Sequence, residues 1–272
     1  MPIAYRVPDD VPGVQLVVRM DEHPDSSCYL NEAYTLKVLL KTGSALHYRG
    51  QSHECTGGMV GLLDPGEMLR TSHLSRARVP DTIHGVMIRP EFMARMAAEF
   101  NLPSQSLWFR RPVLTHPELF GRISRLLAAL QKPETHTVLE RQSLLATTLE
   151  TAMRNTMELR RREPPLRKSR ASTRRARELI HERFASAITV DELVAATGVS
   201  RCHLLRTFTD EVGVPPHRYQ IHLRIARSRE LLAKGFSPAF VAAQLGFYDQ
   251  GHFTGQFHRI VGVTPGRFGR ES

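Results

Sequence analysis

The C-terminal part of the chain contains a segment with a clear local pattern: Ala242-Ala243-Gln244-Leu245-Gly246-Phe247-Tyr248-Asp249-Gln250-Gly251-His252-Phe253. A short alanine-rich helix runs into Gly246, and glycine readily takes the left-handed conformation that ends a helix. A second helix follows, in which Phe253 and Phe257 lie one turn apart and are expected to be buried. The short helix, the glycine turn and the polar second helix together predict a helix-turn-helix motif.

An earlier copy of this pattern strengthens the interpretation. Residues 194–199 match residues 242–247 at an offset of 48, and residues 203–216 match residues 252–265 at an offset of 49. Two copies are too few for a solenoid, but they fit a duplicated module. The segment between the copies, residues 217–233, has a helical pattern with several arginines and is expected to join them.

The first copy contains its own start and stop signals. Thr189 and Ser200 are expected N-caps of its two helices, because their hydroxyls accept hydrogen bonds from free backbone amides. Gly198 is expected to end the first helix with a positive φ. Leu204 and Phe208, four residues apart, are expected to anchor the second helix to the core.

The outer faces of the two second helices supply the candidate DNA-binding residues. In a helix-turn-helix protein the second helix lies in the major groove, where its outward side chains meet the base edges. The candidates are Arg201, Cys202, Leu205, Arg206, Gln250, Gly251, His252 and Thr254, with Gly255 on the same face. His203 and His252 recur at equivalent positions beside the anchors and are expected to be structural or to contact phosphates.

Residues 173–270 resemble the DNA-binding domain of the AraC/XylS transcription regulators. The resemblance is carried by Ala195, Gly198, Ser200, His203, Leu204, Arg206, Phe208, Gly213, Val214, Pro215, Pro216, His217, Tyr219, Arg224, Ala226, Leu231, Leu232, Ala242, Gly246, Phe247, Asp249, Gln250, His252, Phe253, Phe257, Gly262, Thr264, Pro265 and Phe268. It implies two helix-turn-helix units, about residues 190–211 and 238–260, joined by one helix. The family's two units read adjacent major-groove segments on one face of the DNA.

Two positions depart from that family's pattern. Several members carry arginine where this chain has Gly255, and a polar residue where it has Leu205. Glycine has no side chain to donate, so the second helix is expected to read fewer bases, with Gln250 making most of the remaining contacts. Cys202 and Leu205 offer little beyond apolar contact, for example to a thymine methyl group.

The charge of the chain agrees with a nucleic-acid partner for one half of it. The 272 residues include 37 Lys+Arg and 27 Asp+Glu, which gives a net charge of +10. Residues 166–272 carry +8 of this charge and residues 1–165 carry only +2. A cationic half beside a near-neutral half suggests a polyanion bound by one domain. The alternative is a basic surface that serves only solubility.

The N-terminal half follows a different pattern. β-rich apolar segments at residues 14–18, 34–40 and 86–88 alternate with turn signals, which predicts an antiparallel sandwich or small barrel. The turn Leu63-Asp64-Pro65-Gly66-Glu67 is similar to one that is common in the cupin-like sensor barrels of the same family. By that resemblance, residues 1–112 are expected to form a cupin-like, jelly-roll barrel that binds an effector. The fold class is therefore a two-domain α+β protein.

Two amphipathic helices follow the strands, within residues 113–162. Apolar side chains recur at three- and four-residue steps over residues 119–130 and 145–157. These stripes must be buried, either on the barrel or against a second chain, and the resemblance implies a dimerisation segment. Residues 163–172 are charged and contain prolines, so they are expected to be a linker before the DNA-binding domain at 173–270.

Several other functions lack their sequence signals. Three distant cysteines without a C-x-x-C pair exclude a disulfide framework and fit a reducing cytosol. The sequence contains no run of about 18 apolar residues, so no transmembrane helix is expected. Residues 1–10 lack the apolar core of a secretory signal. Nucleophile-elbow, zincin and P-loop motifs are absent from the sequence. The barrel half holds His47, His53, Glu54, Cys55 and His84, but not at the tight spacing of metal ligands, so neither a metal nor a cofactor is expected.

The sequence thus predicts a cytoplasmic transcription regulator, more often an activator in this family, and not an enzyme. The expected partners are promoter DNA, a small-molecule effector, RNA polymerase and a second copy of the chain. Two alternatives stay open: a cupin-like metal enzyme fused to a DNA-binding domain, and a DNA-binding protein with a non-sensing N-terminal domain. The effector is not readable here, because pocket-lining residues look like any other inward-facing barrel residues.

Overall fold

A computed structural model of the chain describes residues 4–6, 8, 11, 13–21, 28–40, 43–73, 81–102, 107–159 and 168–271. The N-terminal part is antiparallel β structure with three α-helices packed on it, and the C-terminal part is all helical. This is the predicted two-domain α+β class.

The described strands form two sheets and one short pair. They are β1 (Ala4–Arg6), β2 (Val14–Asp21), β3 (Cys28–Asn31), β4 (Tyr34–Val38), β5 (Ser44–Tyr48), β6 (Gln51–Cys55), β7 (Met59–Leu63), β8 (Glu67–His73), β9 (Asp81–Ile88), β10 (Leu107–Phe109), β11 (Val113–Thr115) and β12 (Met157–Leu159). The larger sheet has the order β1-β2-β9-β4-β7-β11, the smaller sheet has the order β3-β8-β5-β6, and β10 pairs with β12. Neighbouring strands run antiparallel throughout, as the closely spaced strands and turns of the sequence predict.

Three helices, α1 (Pro90–Glu99), α2 (Pro117–Gln131) and α3 (Val138–Thr156), cover one face of the larger sheet. The apolar stripes of α2 and α3 are buried in the core that these helices share with the strands. Of the two partners that the sequence leaves open for the stripes, the sheet of the same chain is the one observed. Each large apolar side chain buried there contributes about 1.5–3 kcal/mol.

The element boundaries in this region differ from the expected ones. Strands β11 and β12 lie inside residues 113–162, so this segment completes the β domain as well as supplying helices. Met157, which the periodicity places on the stripe of α3, follows the end of that helix. Its backbone is extended, with φ −96° and ψ 147°, and it pairs with Phe109 of β10.

The C-terminal part consists of α4 (Lys168–Glu182), α5 (Val190–Thr197), α6 (Arg201–Val212), α7 (Pro216–Ala233), α8 (Pro238–Gln244), α9 (Gln250–Val261) and α10 (Pro265–Glu271). Helix α4 starts five residues before the expected boundary at residue 173, and residues 163–167 of the expected linker lie outside the described residues. The sequence does not predict α10, because two glycines among its seven residues are weak helix formers. Phe268 nevertheless anchors this helix in the core of the C-terminal helices.

The described residues contain neither a membrane span nor a cluster of metal ligands. Among them, no helix is both long enough and apolar enough to cross a membrane. Within the same ranges, no three His, Cys, Asp or Glu side chains come together in a way that would hold a metal ion. His47 of β5 instead lies with its Nε2 3.0 Å from the hydroxyl of Ser72. Burial lowers the pKa of His47 and of His53.

Candidate nucleic-acid interface

The first helix-turn-helix unit consists of α5 and α6 with the predicted caps. Thr189 and Glu192 form a reciprocal capping box at the start of α5, and the Ser200 hydroxyl accepts from the amide of His203 at the start of α6. Gly198 ends α5 with φ 67°, a conformation that costs other residues about 1–2 kcal/mol. These features confirm the predicted start and stop signals. The anchors of α6, Leu204 and Phe208, are fully buried, also as predicted.

The second unit repeats this construction in α8 and α9. The Asp249 carboxylate caps α9 by accepting from the amide of His252 at 2.6 Å. The anchors Phe253 and Phe257 are fully buried, and Gly246 has φ 73° in the turn. Gly246 also lies so close to the Ala185 carbonyl that a Cβ on it would overlap the oxygen, so this turn requires glycine for two reasons.

The candidate base-reading residues lie on the outer faces of α6 and α9, on the side away from the anchors. Those that are exposed are Arg201, Cys202, Arg206, Gln250, Gly251, His252 and Gly255, and those that are half-buried are Leu205 and Thr254. Because most of these positions are exposed, both faces are open to a duplex. That they read bases remains a prediction.

One of the candidate cations is already engaged within the unit. Nη2 of Arg201 donates to the Asp191 carboxylate at 2.6 Å, in an exposed ion pair at the start of α6. Exposed pairs contribute about 0–1 kcal/mol, so a phosphate can displace this carboxylate at small cost. Arg206, five residues further along α6, is the exposed guanidinium nearest the middle of the helix and is the stronger candidate for guanine.

Helix α7 joins the two units, and one side chain of α7 ties them together. Arg224 donates from Nε to the Phe184 carbonyl at 2.7 Å, from Nη2 to the Ser186 carbonyl at 3.0 Å and from Nη1 to the Gly246 carbonyl at 2.5 Å. The first two carbonyls belong to the loop after α4, and the third belongs to the turn of the second unit. One guanidinium therefore fixes the start of α9 relative to the first unit.

A chain of mostly buried polar contacts connects the β domain to the first unit. Asp64 accepts from Arg49 Nη2 at 2.8 Å, and Arg49 Nε lies 3.5 Å from Glu67 Oε1. Glu67 Oε2 lies 3.4 Å from Nη1 of Arg177 in α4, and Nη2 of Arg177 donates to the carbonyl of Gly66. The turn at residues 63–67 therefore holds the DNA-binding domain through Arg177.

The same contact chain continues inside the first unit. Nε of Arg177 donates to the hydroxyl of Tyr219 at 3.3 Å, and Nε2 of His181 lies 2.8 Å from that hydroxyl. Burial, followed by the charges of Arg177 and Arg227, lowers the pKa of His181. A neutral His181 accepts the proton of Tyr219, so the Tyr219 hydroxyl both accepts and donates within this contact chain.

A cavity lies where the larger sheet, strand β3 of the smaller sheet, α7 and the end of α9 meet. It encloses about 770 Å³, counting its solvent-open mouth, and its walls include Leu30, Met87, Ile225 and Val261. Concave, mostly apolar walls with a few polar groups are typical of small-molecule sites. Within the described residues, this cavity is a concave, mostly apolar place for an effector.

Lys37 brings a cation into this cavity from the middle of β4. It is only 3% exposed, and its cross-strand neighbours are glycines, Gly61 on β7 and Gly85 on β9. A Cβ at Gly61 would lie 2.5 Å from Lys37 Cε, and a Cβ at Gly85 would lie 3.0 Å from Lys37 Cβ. The two glycines therefore make room for a buried lysine stem. Arg229 of α7, paired with Glu32 at 3.6 Å, lines the same cavity.

Sequence reasoning missed Lys37, Arg229 and Arg177. A lysine in the middle of the apolar segment 34–40 is a visible signal, but its glycine neighbours lie on strands whose pairing the sequence does not give. Glu67 and Arg177 are 110 residues apart in the chain, and no local pattern links them.

Comparison with known proteins agrees with this description of the C-terminal part. A helix-turn-helix domain family model matches residues 193–271. The transcriptional regulator YbfI of Bacillus subtilis is 27% identical over 210 residues, which cover 75% of each chain. The transcriptional activator RhaS of Escherichia fergusonii is 24% identical over 84% of this chain and 82% of its own length. The regulator MtrA of Neisseria gonorrhoeae is 36% identical over 83 residues, 30% of this chain and 28% of that one.

Solved structures match along nearly the whole chain. A ligand-free variant of ToxT from Vibrio cholerae has a TM-score of 0.55 at 14% identity and covers 96% of this chain and 98% of its own. ToxT with an unsaturated fatty acid bound has a TM-score of 0.53 at 15% identity and covers 97% of each chain. At such identities the likeness shows the shared two-domain fold.

A duplicated helix-turn-helix domain carried on a β domain defines a DNA-binding transcription regulator, and the matched family model and relatives agree with that class. The motifs of residues 173–270 make the assignment narrower. This part of the chain is similar to the DNA-binding domains of the AraC/XylS transcription regulators.

Proposed function

We propose that this chain is a cytoplasmic, ligand-controlled activator, without enzymatic activity, that binds promoter DNA through the outer faces of α6 and α9. The effector enters the cavity between the β domain and the C-terminal helices, and RNA polymerase is the downstream partner. The observation that carries the proposal is Lys37, a buried cation that two glycines accommodate at the wall of an otherwise mostly apolar cavity.

The chemistry of the cavity favours an amphipathic carboxylate as effector. Lys37 and Arg229 supply two cations from the two domains, and Leu30, Met87 and Val261 supply apolar walls. A carboxylate at the cations forms charge-assisted hydrogen bonds, which are about twice as strong as neutral ones, while an alkyl chain fills the apolar part. The unsaturated fatty acid in the ToxT structure has this chemistry and supports the choice.

Oleate is the first probe, and its binding is tested by thermal shift and calorimetry on the full chain. We expect saturable binding that raises Tm, since a ligand bound to the folded state stabilises it by mass action. Lys37→Met keeps a stem of similar length over the glycines and is expected to weaken binding at least about 10-fold, the loss of one charge-assisted contact. Lys234→Met, on the exposed surface after α7, is the matched control.

Two outcomes of that experiment contradict the proposed effector class. Oleate that binds wild type and Lys37→Met equally well does not use the cavity cation. Oleate that fails to bind, while an uncharged compound of similar length does bind, shows that the cavity selects something other than a carboxylate.

We also propose a homodimer formed by the outer side of α2 and α3. The stripes of these helices face the sheet, so a second chain must use other residues, and Leu139 at the start of α3 is 73% exposed. Sedimentation velocity of wild type and Leu139→Ser tests this. An unchanged dimer in the variant, or a monomeric wild type at micromolar concentration, contradicts it.

A further inference from the structure

The internal repeat allows the two recognition helices to be compared at equivalent positions. At the offset of 49, Glu211 of α6 corresponds to Ile260 of α9, and Val212 corresponds to Val261. The C-terminal ends of both helices lie near the β domain. The two ends meet the β domain in different ways.

The end of α6 lies directly on the β domain. A Cβ at Gly50, in the turn between β5 and β6, would lie 2.8 Å from the carbonyl oxygen of Asp210 and 3.5 Å from Cα of Glu211. The equivalent end of α9 borders the cavity instead, where Ile260 and Val261 line the wall.

The cores of the two units show the same asymmetry. Leu30 and Met68 of the β domain belong to the apolar cluster that contains Leu204 and Phe208, the anchors of α6. Within the described residues, the cluster around the anchors of α9 draws all its members from residues 225–268, and its flanking partners also lie in the C-terminal part, within residues 184–260. The first unit is thus joined to the β domain by apolar packing and by Arg177, whereas the second unit meets it across the cavity.

We propose that the occupant of the cavity sets the tilt of α9 and thereby controls the second half-site of the operator, while the first unit stays fixed on the β domain. This inference rests on the proposed function. Arg224 holds the turn at Gly246, close to the start of α9, so that turn acts as the pivot and the end at Ile260 is the part that a ligand pushes. A ligand shifts the tilt only as far as it binds one tilt better than the other.

The experiment uses the full chain, the operator obtained by randomised-site selection, and two derivatives in which one half-site is scrambled. Dissociation constants are measured by fluorescence anisotropy with and without saturating oleate. We expect oleate to change affinity about 10-fold, within the usual range of allosteric coupling, on DNA that retains the second half-site. On DNA that retains only the first half-site the change is expected to stay below about 2-fold, the level of additive behaviour in an uncoupled pair.

Matched variants at the equivalent positions sharpen the test. Ile260→Ala removes the contact through which the ligand reaches α9 and is expected to reduce the oleate effect, whereas Glu211→Ala leaves it unchanged. Ile260→Trp fills the cavity from α9 without any ligand and is expected to change affinity for the second half-site alone. Tm values of the three variants report whether each one folds.

The inference is overturned if the oleate effect follows the first half-site or is equal on all three duplexes. It is also overturned if oleate binds but leaves every affinity unchanged, a result that keeps the proposed ligand site. If oleate does not bind at all, the proposed effector class fails, and Ile260→Trp then decides the inference: an equal effect on both half-sites, or no effect, overturns it.

Discussion

The two helix-turn-helix units share their caps, turns and buried anchors and differ in the surfaces that they expose. Each has a side-chain cap on its second helix, Ser200 in one unit and Asp249 in the other, and each has a positive-φ glycine in its turn. Each buries two apolar anchors at i and i+4. The residues that fold the motif are thus the same in chemistry, although the outer faces share little.

The differences lie on the surfaces that meet other molecules. The outer face of α6 carries Arg201 and Arg206, whereas that of α9 carries Gln250 and two glycines. The end of α6 packs on the β domain, and the end of α9 borders the cavity. Folding and recognition thus depend on separate positions of one motif, so each can be changed without the other.

The largest expected effects come from the anchors. Phe257→Ala and Phe208→Ala each remove a fully buried ring and should lower the free energy of unfolding by about 3–5 kcal/mol. Phe257→Ala should loosen residues 225–271, whose side chains share its cluster, whereas Phe208→Ala should also loosen strand β3, because Leu30 is in the cluster of Phe208. Hydrogen exchange with mass spectrometry checks this, and equal loosening of both units by either variant would contradict it.

Alanine substitutions of the turn glycines should destabilise the two units to different extents. Gly198→Ala has open space around its Cβ and should cost only the strain of a positive φ, about 1–2 kcal/mol. Gly246→Ala carries the same strain and also overlaps the Ala185 carbonyl, so overpacking should add about 1–3 kcal/mol. Chemical denaturation measures both. Equal losses would show that the loop at Ala185 yields freely.

A buried histidine in α7, the helix shared by both units, should make the stability of both units depend on pH. Burial, then Arg218 and Arg259, lowers the pKa of His222 in α7 from 6.5 to about 4. Only the unfolded chain binds this proton between those values, so stability is full above about pH 6.5 and falls as pH drops toward 4, by about 3 kcal/mol in all.

The measurement for His222 is Tm against pH for wild type and two variants. His222→Gln should flatten the fall, and His217→Gln, at an exposed position of the same helix, should leave it as it is. A wild type with constant Tm over this range would show that His222 is protonated in the folded protein.

Substitutions of the candidate base-reading residues should have smaller and separable effects. Arg206→Ala should cost about 1–3 kcal/mol of binding and relax preference at one base pair, since arginine reads guanine through two hydrogen bonds. Gln250→Ala should relax a different base pair, about 10 bp away. Randomised-site selection on both variants decides. Uniform weakening on all sequences would make Arg206 a phosphate contact, and an unchanged preference in both would place these helices outside the major groove.

The smallest expected effect is a gain at Gly255. Its Cβ would meet nothing within 4 Å, and a residue other than glycine in a helix interior adds about 0.5–1 kcal/mol of stability. Gly255→Arg should therefore raise Tm and add a guanine preference to the second half-site. Gly251→Arg is the comparison, because its Cβ would lie 3.3 Å from the capping carboxylate of Asp249. A guanine preference gained equally by both variants would contradict the assigned faces.

The fold of the C-terminal half is almost completely predictable from the sequence, because caps, glycine turns and anchors are local signals that occur in both copies. Helix α10 is not predicted, since Phe268 stabilises it through tertiary packing rather than through propensity. The antiparallel β class is predicted from strand spacing. The cavity is not predicted, because the role of Lys37 depends on its cross-strand neighbours Gly61 and Gly85. The register that pairs these residues is set by the whole sheet.

The contact between the domains is the least predictable part. Arg177 lies in a run of arginines of which most are exposed, and only the fold shows that this one enters the β domain beside Gly66. The same reasoning holds for Arg229 and Glu32, which are paired although they lie in different domains. Such pairs depend on how two domains dock, and docking leaves no periodic pattern in either segment.

The rigid connection through α7 has a consequence for promoters. The helix has 18 residues and is about 27 Å long at 1.5 Å per residue, and Arg224 fastens the reading end of α9 to it. With α6 and α9 in the major groove, as proposed, the protein would hold its two reading ends at a fixed spacing along the duplex. One inserted base pair turns the second half-site by about 35° around the DNA axis, given roughly 10.5 bp per turn. A promoter with two perfect half-sites and one extra base pair between them is therefore expected to bind this regulator as if it had only one half-site.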